Sequence, residues 1–291
     1  MKMTKMLSLV ALSVTAFGLA ACGNNSSQSS ATSSGKIEVI TREDGSGTRG
    51  AFTEITGIKK KDKGKEIDNT SKSAVVQNST EGVISAVSGN PQAVGYISLG
   101  SLNDHVKALK VDGVKASSQT VLDGEYPLQR PFNIVFTDQL SGLGKDFVAF
   151  IHSKEGQAVV SKNKFVEAKT EVTAYSSQKL SGKLSIVGST SVAPLMEKLV
   201  EAYKKENPDV TIAITANGSS AGITATQEKT ADIGMVSREL TPEEGKGLKH
   251  DAIALDGIAV VVNKDSKIDA ISMKAIADVF TGKVNSWDKV N

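Results

Sequence analysis

Short runs of β-branched and aliphatic residues recur along this chain, and most end in small polar residues just before an amphipathic stretch begins. Residues 37–40 (IEVI), 93–99 (AVGYISL), 183–187 (KLSIV), 210–215 (VTIAIT), 233–236 (IGMV) and 258–262 (IAVVV) read as strands, and 107–114 as a further one. Apolar spacing near 3.6 predicts helices over 50–57, 83–87, 144–153, 156–161, 195–206, from Gly222 through Gln227, and 272–280. Ser79 or Thr80 is placed to cap the second of these. Residues 58–73 read as a charged loop. Residues 126–136 (YPLQRPFNIVF) are extended, and Pro127 and Pro131 suit a crossing segment better than a central strand. Strands alternating with helices predict an α/β fold with mainly parallel sheets.

Three strand-to-helix junctions share one design of glycine and small hydroxyl residues: 45–48 (GSGT), 188–191 (GSTS) and 218–220 (GSS), while Ser237 closes a fourth strand. In open α/β sheets ligands sit beyond the carboxyl ends of strands, so these loops can converge on one site rich in N–H and O–H donors. Residues 37–50 carry the most chemistry. A strand, a glycine-rich turn and a helix start there aim backbone N–H groups and a positive helix end at one spot, which suits an anion. Ser46 and Thr48 add hydroxyls, and Arg42 and Arg49 add guanidinium forks that match phosphate-like oxygens. Asp44 either forms the turn or holds Arg42 in place. The bland alternative for any single loop is an ordinary helix cap. Four such loops with an arginine beside one of them favour a ligand.

Composition narrows the classes. The chain has 291 residues, 39% hydrophobic and 23% charged, enough for two bodies with real cores. Net charge is +2 with scattered basic residues, which argues against a nucleic-acid partner. Aromatics are only 4%, with Trp287 the one tryptophan, thin for stacking on bases or sugars. Residues 1–21 read as a signal peptide: Lys2 and Lys5, an apolar run too short to span a bilayer, then Leu19, Ala20 and Ala21 before Cys22. That pattern is similar to a bacterial lipobox, which implies cleavage before Cys22 and lipidation of its thiol. Cys22 is the chain's only cysteine, and a lone exported thiol otherwise needs a partner or a reason, which favours lipidation. One lipidated terminus anchors a protein without spanning the membrane. The polar, low-complexity residues 22–35 read as a flexible tether.

Two motifs admit other readings. Residues 45–50 (GSGTRG) satisfy G-x-G-x-x-G after a strand, but no second strand ending in an acid follows. Residues 218–222 (GSSAG) satisfy G-x-S-x-G, which would make Ser220 a hydrolase nucleophile with His250 as the only downstream histidine. His105 and His152 stand alone, and no His, Cys and acid cluster has metal-ligand spacing, so neither a metal nor a cofactor is expected.

Residues 187–194 (VGSTSVAP), 217–222 (NGSSAG), 231–238 (ADIGMVSR) and 42–48 (REDGSGT) together resemble the phosphate-binding protein of the high-affinity phosphate ABC transporter (PstS type). Residues 126–128 (YPL) and 94–96 (VGY) also fit, and the resemblance covers nearly all of 36–291. It implies a two-lobed periplasmic-binding-protein-like fold with a cleft and hinge, a split lobe over 36–130 plus 258–291, and a continuous lobe over 131–257. It implies no catalysis. Its contacts to inorganic phosphate carry over to Thr190, Ser191, Ser219 and Ser237 on one side and to Arg42, Ser46, Gly47 and Thr48 on the other. The implied partners are the membrane permease and ATPase subunits of an ABC transporter, with the receptor itself a lipid-anchored monomer.

Two departures stand out. The family places its Gly-Ser-Thr-Ser segment first and its Arg-x-Asp-Gly-Ser-Gly-Thr segment after the Trp-Asp segment. Here the Arg42 segment leads and the chain stops just after Trp287 and Asp288, the order of a circular permutation joined near 173–182. Some family members also carry an aspartate where Ser237 stands. Such a carboxylate accepts a proton from hydrogen phosphate and repels sulfate, so Ser237 implies another acceptor or weaker discrimination. Another tetrahedral oxyanion remains the alternative ligand, and a serine hydrolase the alternative class.

Overall fold

The computed structural model describes residues 35–62, 65–168 and 172–290. Residues 1–34, with the expected signal peptide, Cys22 and nearly all of the tether, lie outside the described residues. The chain opens with β1 (Glu38–Arg42), α1 (Gly47–Ile55), β2 (Lys59–Asp62), β3 (Lys65–Asp68), β4 (Val75–Gln77), α2 (Thr80–Ser88), β5 (Ala93–Ser98), β6 (Val106–Ala108), β7 (Lys110–Val111), α3 (Ser118–Leu122) and β8 (Gln129–Phe136). There follow α4 (Gly142–Ile151), α5 (Lys154–Lys162), β9 (Val166–Glu167), β10 (Gly182–Gly188), α6 (Ala193–Glu206), β11 (Val210–Ala216), α7 (Ser219–Gln227), β12 (Ile233–Val236), β13 (Lys249–Asn263), β14 (Ala270–Ile271) and α8 (Met273–Phe280).

The main sheet runs β11-β10-β12-β8-β13-β5-β1-β4. Both ends are parallel, β10 with β11 and β12, and β1 with β4 and β5. The middle is antiparallel, which departs from the mainly parallel expectation. The cause is β13, whose first half pairs with β8 and whose second half pairs with β5. A strand that serves two separately wound halves must run against the neighbour it meets in each. The segment 126–136 proves to be a crossing and a central strand at once. Pro131 is tolerated because β12 reaches β8 only at Asn133–Val135, leaving the proline beyond the ladder on that side. Strands β2 and β3 pair as an exposed, charged antiparallel ladder where a loop is expected.

Apolar side chains separate into two large clusters. One gathers Ile40, Phe52, Val83, Val94, Tyr96, Val260, Ile276 and Phe280, and the other Phe132, Phe147, Ile186, Leu195, Leu199, Met235 and Ile253. The clusters part at the start of β8, between Leu128 and Phe132, and within β13 between Ala254 and Ile258. Periodicity explains which faces they bury. In α6 the buried residues Leu195, Met196, Leu199, Val200 and Tyr203 fall at helical spacing, and Pro194 sits in the first turn, where its missing N–H costs nothing. Strands β5 and β12 are buried at every position, as strands covered on both faces must be. Truncating a side chain such as Leu199 costs about 2–5 kcal/mol in such a core.

Residues 172–181 have no regular structure but are pinned down. Tyr175 donates to Asp146 (2.6 Å), which also accepts from Tyr203 (2.7 Å), and Ser177 donates to the carbonyl of Glu206 (3.0 Å).

Candidate anion-binding site

Four helix N-termini face the seam between the two clusters. Gly45 makes the turn before α1 at φ +87°, and Ser46 caps the helix by accepting from Arg49 N–H (3.3 Å). Ser79 caps α2 by accepting from Gly82 N–H (3.0 Å), which leaves Thr80 free to point onward. Gly188, at φ +143°, packs so closely on β12 that a Cβ there would lie 2.3 Å from the Met235 carbonyl. Ser189, Thr190 and Ser191 follow it, just before α6. Gly218, at φ +109°, starts α7 with no side-chain cap, so the α7 N-terminus has no local acceptor.

Hydroxyls from both sides meet there. Thr48 and Ser191 are 2.8 Å apart, and Thr80 lies 3.2 Å from both Thr190 and Ser191. Ser189 donates to Ser237 (2.9 Å), Ser237 N–H donates to Ser219 (3.1 Å), and the Ser219 and Ser237 hydroxyls are 3.4 Å apart. Gly47 closes the group: a Cβ on it would fall 2.2 Å from Ser219 Oγ and 2.5 Å from Ser237 Oγ. Arg42, 2% exposed, donates Nη2 to Thr190 (3.0 Å). Its base is held by Tyr96, whose hydroxyl accepts from Arg42 N–H (3.2 Å) and meets Thr41 (2.8 Å). Tyr96 stacks on Phe52, and burial pushes its phenol up to about 12, so it stays protonated.

Among the predicted site residues, Arg42, Thr48, Thr190, Ser191, Ser219 and Ser237 are brought together, with Gly47 as their floor. Ser46 sits at the edge, where its oxygen accepts at the cap and its O–H is left to donate. Asp44 forms the turn but does not hold Arg42. It pairs with Arg49 (2.8 Å) and is nearly fully exposed, whereas Glu43 grips Arg42 through two bonds of 2.8 Å. The turn sends residue 43 back along β1 and residue 44 outward. Arg49 is likewise turned away, bonded to Asp68 (2.9 Å) and to the Arg42 carbonyl (2.8 Å). Ser189, in the GSTS loop, and Thr80 join the cluster beside the residues the resemblance implies. For Thr80 the sequence offers a capping role, and the one signal of a second role is a hydroxyl directly after Ser79.

Ser220 meets Arg238 (3.3 Å), itself clamped by Glu244 through two bonds of 2.7 Å, and among the described residues no hydrogen bond joins it to a histidine. Among the described residues no three His, Cys, Asp or Glu side chains gather to hold a metal, and no helix is long and apolar enough to cross a membrane.

A two-lobed α/β body with helix N-termini and hydroxyls converging at its seam defines a periplasmic-binding-protein-like solute receptor. A family model described as the PBP superfamily domain matches residues 13–155 and 173–291. Phosphate-binding protein PstS 2 of Streptococcus pneumoniae serotype 4 (strain ATCC BAA-334 / TIGR4) is 72% identical over 290 residues, 100% of both chains. Phosphate-binding protein PstS 2 of Streptococcus agalactiae serotype V (strain ATCC BAA-611 / 2603 V/R) is 49% identical over 296 residues, again 100% of both. The crystal structure of a phosphate ABC transporter phosphate-binding protein from Streptococcus pneumoniae TIGR4 superposes with a TM-score of 0.71 at 75% identity, covering 88% of this chain and 100% of that one. The chain belongs to the PstS family of phosphate-binding proteins within the PBP superfamily. These relatives are binding proteins, and the serine hydrolase reading finds no support.

Proposed function

We propose that this chain is the extracytoplasmic solute-binding component of a phosphate ABC transporter, capturing inorganic phosphate at the seam between its lobes and delivering it to the membrane permease without catalysing a reaction. The observation that carries the site assignment is the meeting of Arg42 with hydroxyls from five segments, Thr48 and Thr80 on one side and Ser189 to Ser191, Ser219 and Ser237 on the other. A dehydrated tetrahedral anion needs many donors and little net charge, and this cluster supplies them. Because the donors come from both lobes, binding and closure about the β8 and β13 crossings are one event.

The Arg42–Glu43 pair leaves the cluster close to neutral, and Ser237 offers a hydroxyl where a carboxylate would repel sulfate. Another oxyanion is therefore the rival ligand, and phosphate titrated calorimetrically with and without excess sulfate separates the two. Absence of phosphate binding refutes the proposal.

The described body's two ends adjoin: Ile37 N–H donates to Asn285 (2.9 Å) and Trp287 N–H to Gly35 (3.2 Å). That adjacency supports a permuted chain order. Lipidation at Cys22, release from residues 1–21 and action as a monomer complete the proposal. Mass spectrometry of the mature N-terminus and light scattering of the purified protein test them.

A further inference from the structure

Arg130 on β8 and Asp256 on β13 are register partners on the two crossing strands, and both side chains are 1% exposed. Arg130 donates Nη2 (3.1 Å) and Nε (3.4 Å) to Asp256 Oδ2. The other Asp256 oxygen accepts from Ser98 Oγ (3.0 Å) and Gly100 N–H (3.4 Å), at the end of β5. The remaining arm of Arg130, Nη1, donates to the backbone carbonyl of Ser237 (2.9 Å). The guanidinium also lies over the Phe132 ring, 5.2 Å from its centroid. A hydrophobic pair of similar volume would serve stability as well as a buried ion pair, so the cost of desolvating these charges calls for a geometric role.

That role is visible at Ser237. Its N–H is held by Ser219 and its carbonyl by Arg130, so the backbone that carries its hydroxyl to the seam is fixed on both sides of its Cα. The next peptide is held as well, by Asn133 Nδ2 on the Arg238 carbonyl (3.0 Å). A single chain of bonds thus runs from Ser98 in one lobe, through the crossing strands, to a seam residue of the other.

We infer that Arg130 is a positioning residue for anion binding: bridging Asp256 and the Ser237 carbonyl, it couples the crossing strands to the presentation of the Ser237 hydroxyl. The inference rests on the phosphate-binding reading of the seam.

The test is a double-mutant cycle. Arg130→Met keeps the apolar stem and removes all the donors, and Ser237→Ala removes the hydroxyl but keeps the carbonyl. Phosphate Kd is measured calorimetrically on folded protein, beside the melting temperature. Arg130→Met is expected to weaken binding about tenfold in the unsubstituted background and under about threefold with Ser237→Ala present, since coupled residues are not additive. Arg130→Lys, whose single ammonium reaches one acceptor but not both, is expected to fall between. An unchanged Kd with a lowered melting temperature overturns the inference, and so do losses that multiply independently. If Arg130→Met does not fold, Arg130→Lys carries the same cycle. Failure of the unsubstituted protein to bind phosphate overturns the functional reading and this inference together, whereas an additive cycle in a protein that binds overturns this inference alone.

Discussion

Gly47→Ala separates binding from folding more cleanly than any other single change at the seam. Gly47 is the first residue of α1, and its Cα faces Ser219 and Ser237 on the opposite lobe. An added Cβ would stand 2.2 Å from Ser219 Oγ, 2.5 Å from Ser237 Oγ and 3.1 Å from Ser219 Cβ. The hydroxyls can rotate, but the Ser219 Cβ is set by the start of α7 and cannot. Overpacking of this kind costs about 1–3 kcal/mol, and because the lobes escape it by parting, the cost falls on closure. Phosphate Kd is then expected to rise about 5- to 150-fold. The lobe itself does not suffer, since alanine is the better helix former by up to about 1 kcal/mol. The ligand-free melting temperature should therefore hold or rise while calorimetric affinity drops. A Kd within about twofold of the unsubstituted protein would refute the claim that these three residues close on the ligand, because a factor of two is under 0.5 kcal/mol.

Other outcomes follow from the same geometry. Arg42→Lys keeps the charge but loses the planar fork that reaches Glu43 and Thr190 together, and phosphate affinity measured calorimetrically should fall by about 10- to 100-fold. Glu43→Gln leaves a buried guanidinium short of its counter-charge. The ligand-free melting temperature should drop by about 2–4 °C and the thermal shift given by phosphate should grow, while Asp44→Asn, out in solvent, should change neither. Burial raises the Asp256 carboxyl to about 6, against the pull of Arg130. A folded-state value above the unfolded one favours the protonated form, so this group's stabilising contribution is full below about pH 4 and is lost as pH rises through 6. Melting temperatures of the unsubstituted protein and Asp256→Asn in phosphate-free buffer should show that decline in their difference, and a flat difference refutes it. Cys22→Ala should abolish fatty-acid labelling of the protein and leave residues 1–21 attached, as mass spectrometry of the N-terminus would show.

Much of the scaffold is legible in the chain because its causes are local. The strand at Ile233–Val236 stands at the residues its continuous apolar run marks, and α6 and α8 follow their apolar spacing to within a residue or two at each end. Hydroxyls after strand ends mark the loops of the seam, since a strand that feeds a helix leaves capping groups in a fixed place. Polarity misleads at 59–62, 65–68 and 249–251, which pair as strands although their side chains are mostly charged and largely exposed. In those segments the backbone ladder, not burial, holds the strand, and side-chain patterning is silent about backbone partners.

The site was legible only in part. Nothing local says whether Glu43 or Asp44 turns toward Arg42, because the outcome depends on how far the turn at Gly45 has rotated. Thr80 meets Thr190 across 110 positions of sequence, and Arg130 meets the Ser237 carbonyl across 107. By itself the sequence determined which residue types could bind an anion and which loops would carry them, for caps, glycines and periodicity act within a turn or two. Tertiary structure alone decided which hydroxyls meet, which acid serves Arg42 and how the crossing strands reach Ser237. A hydrogen bond tolerates only a few tenths of an ångström, and placement that fine comes from strand order, register and twist across the whole sheet.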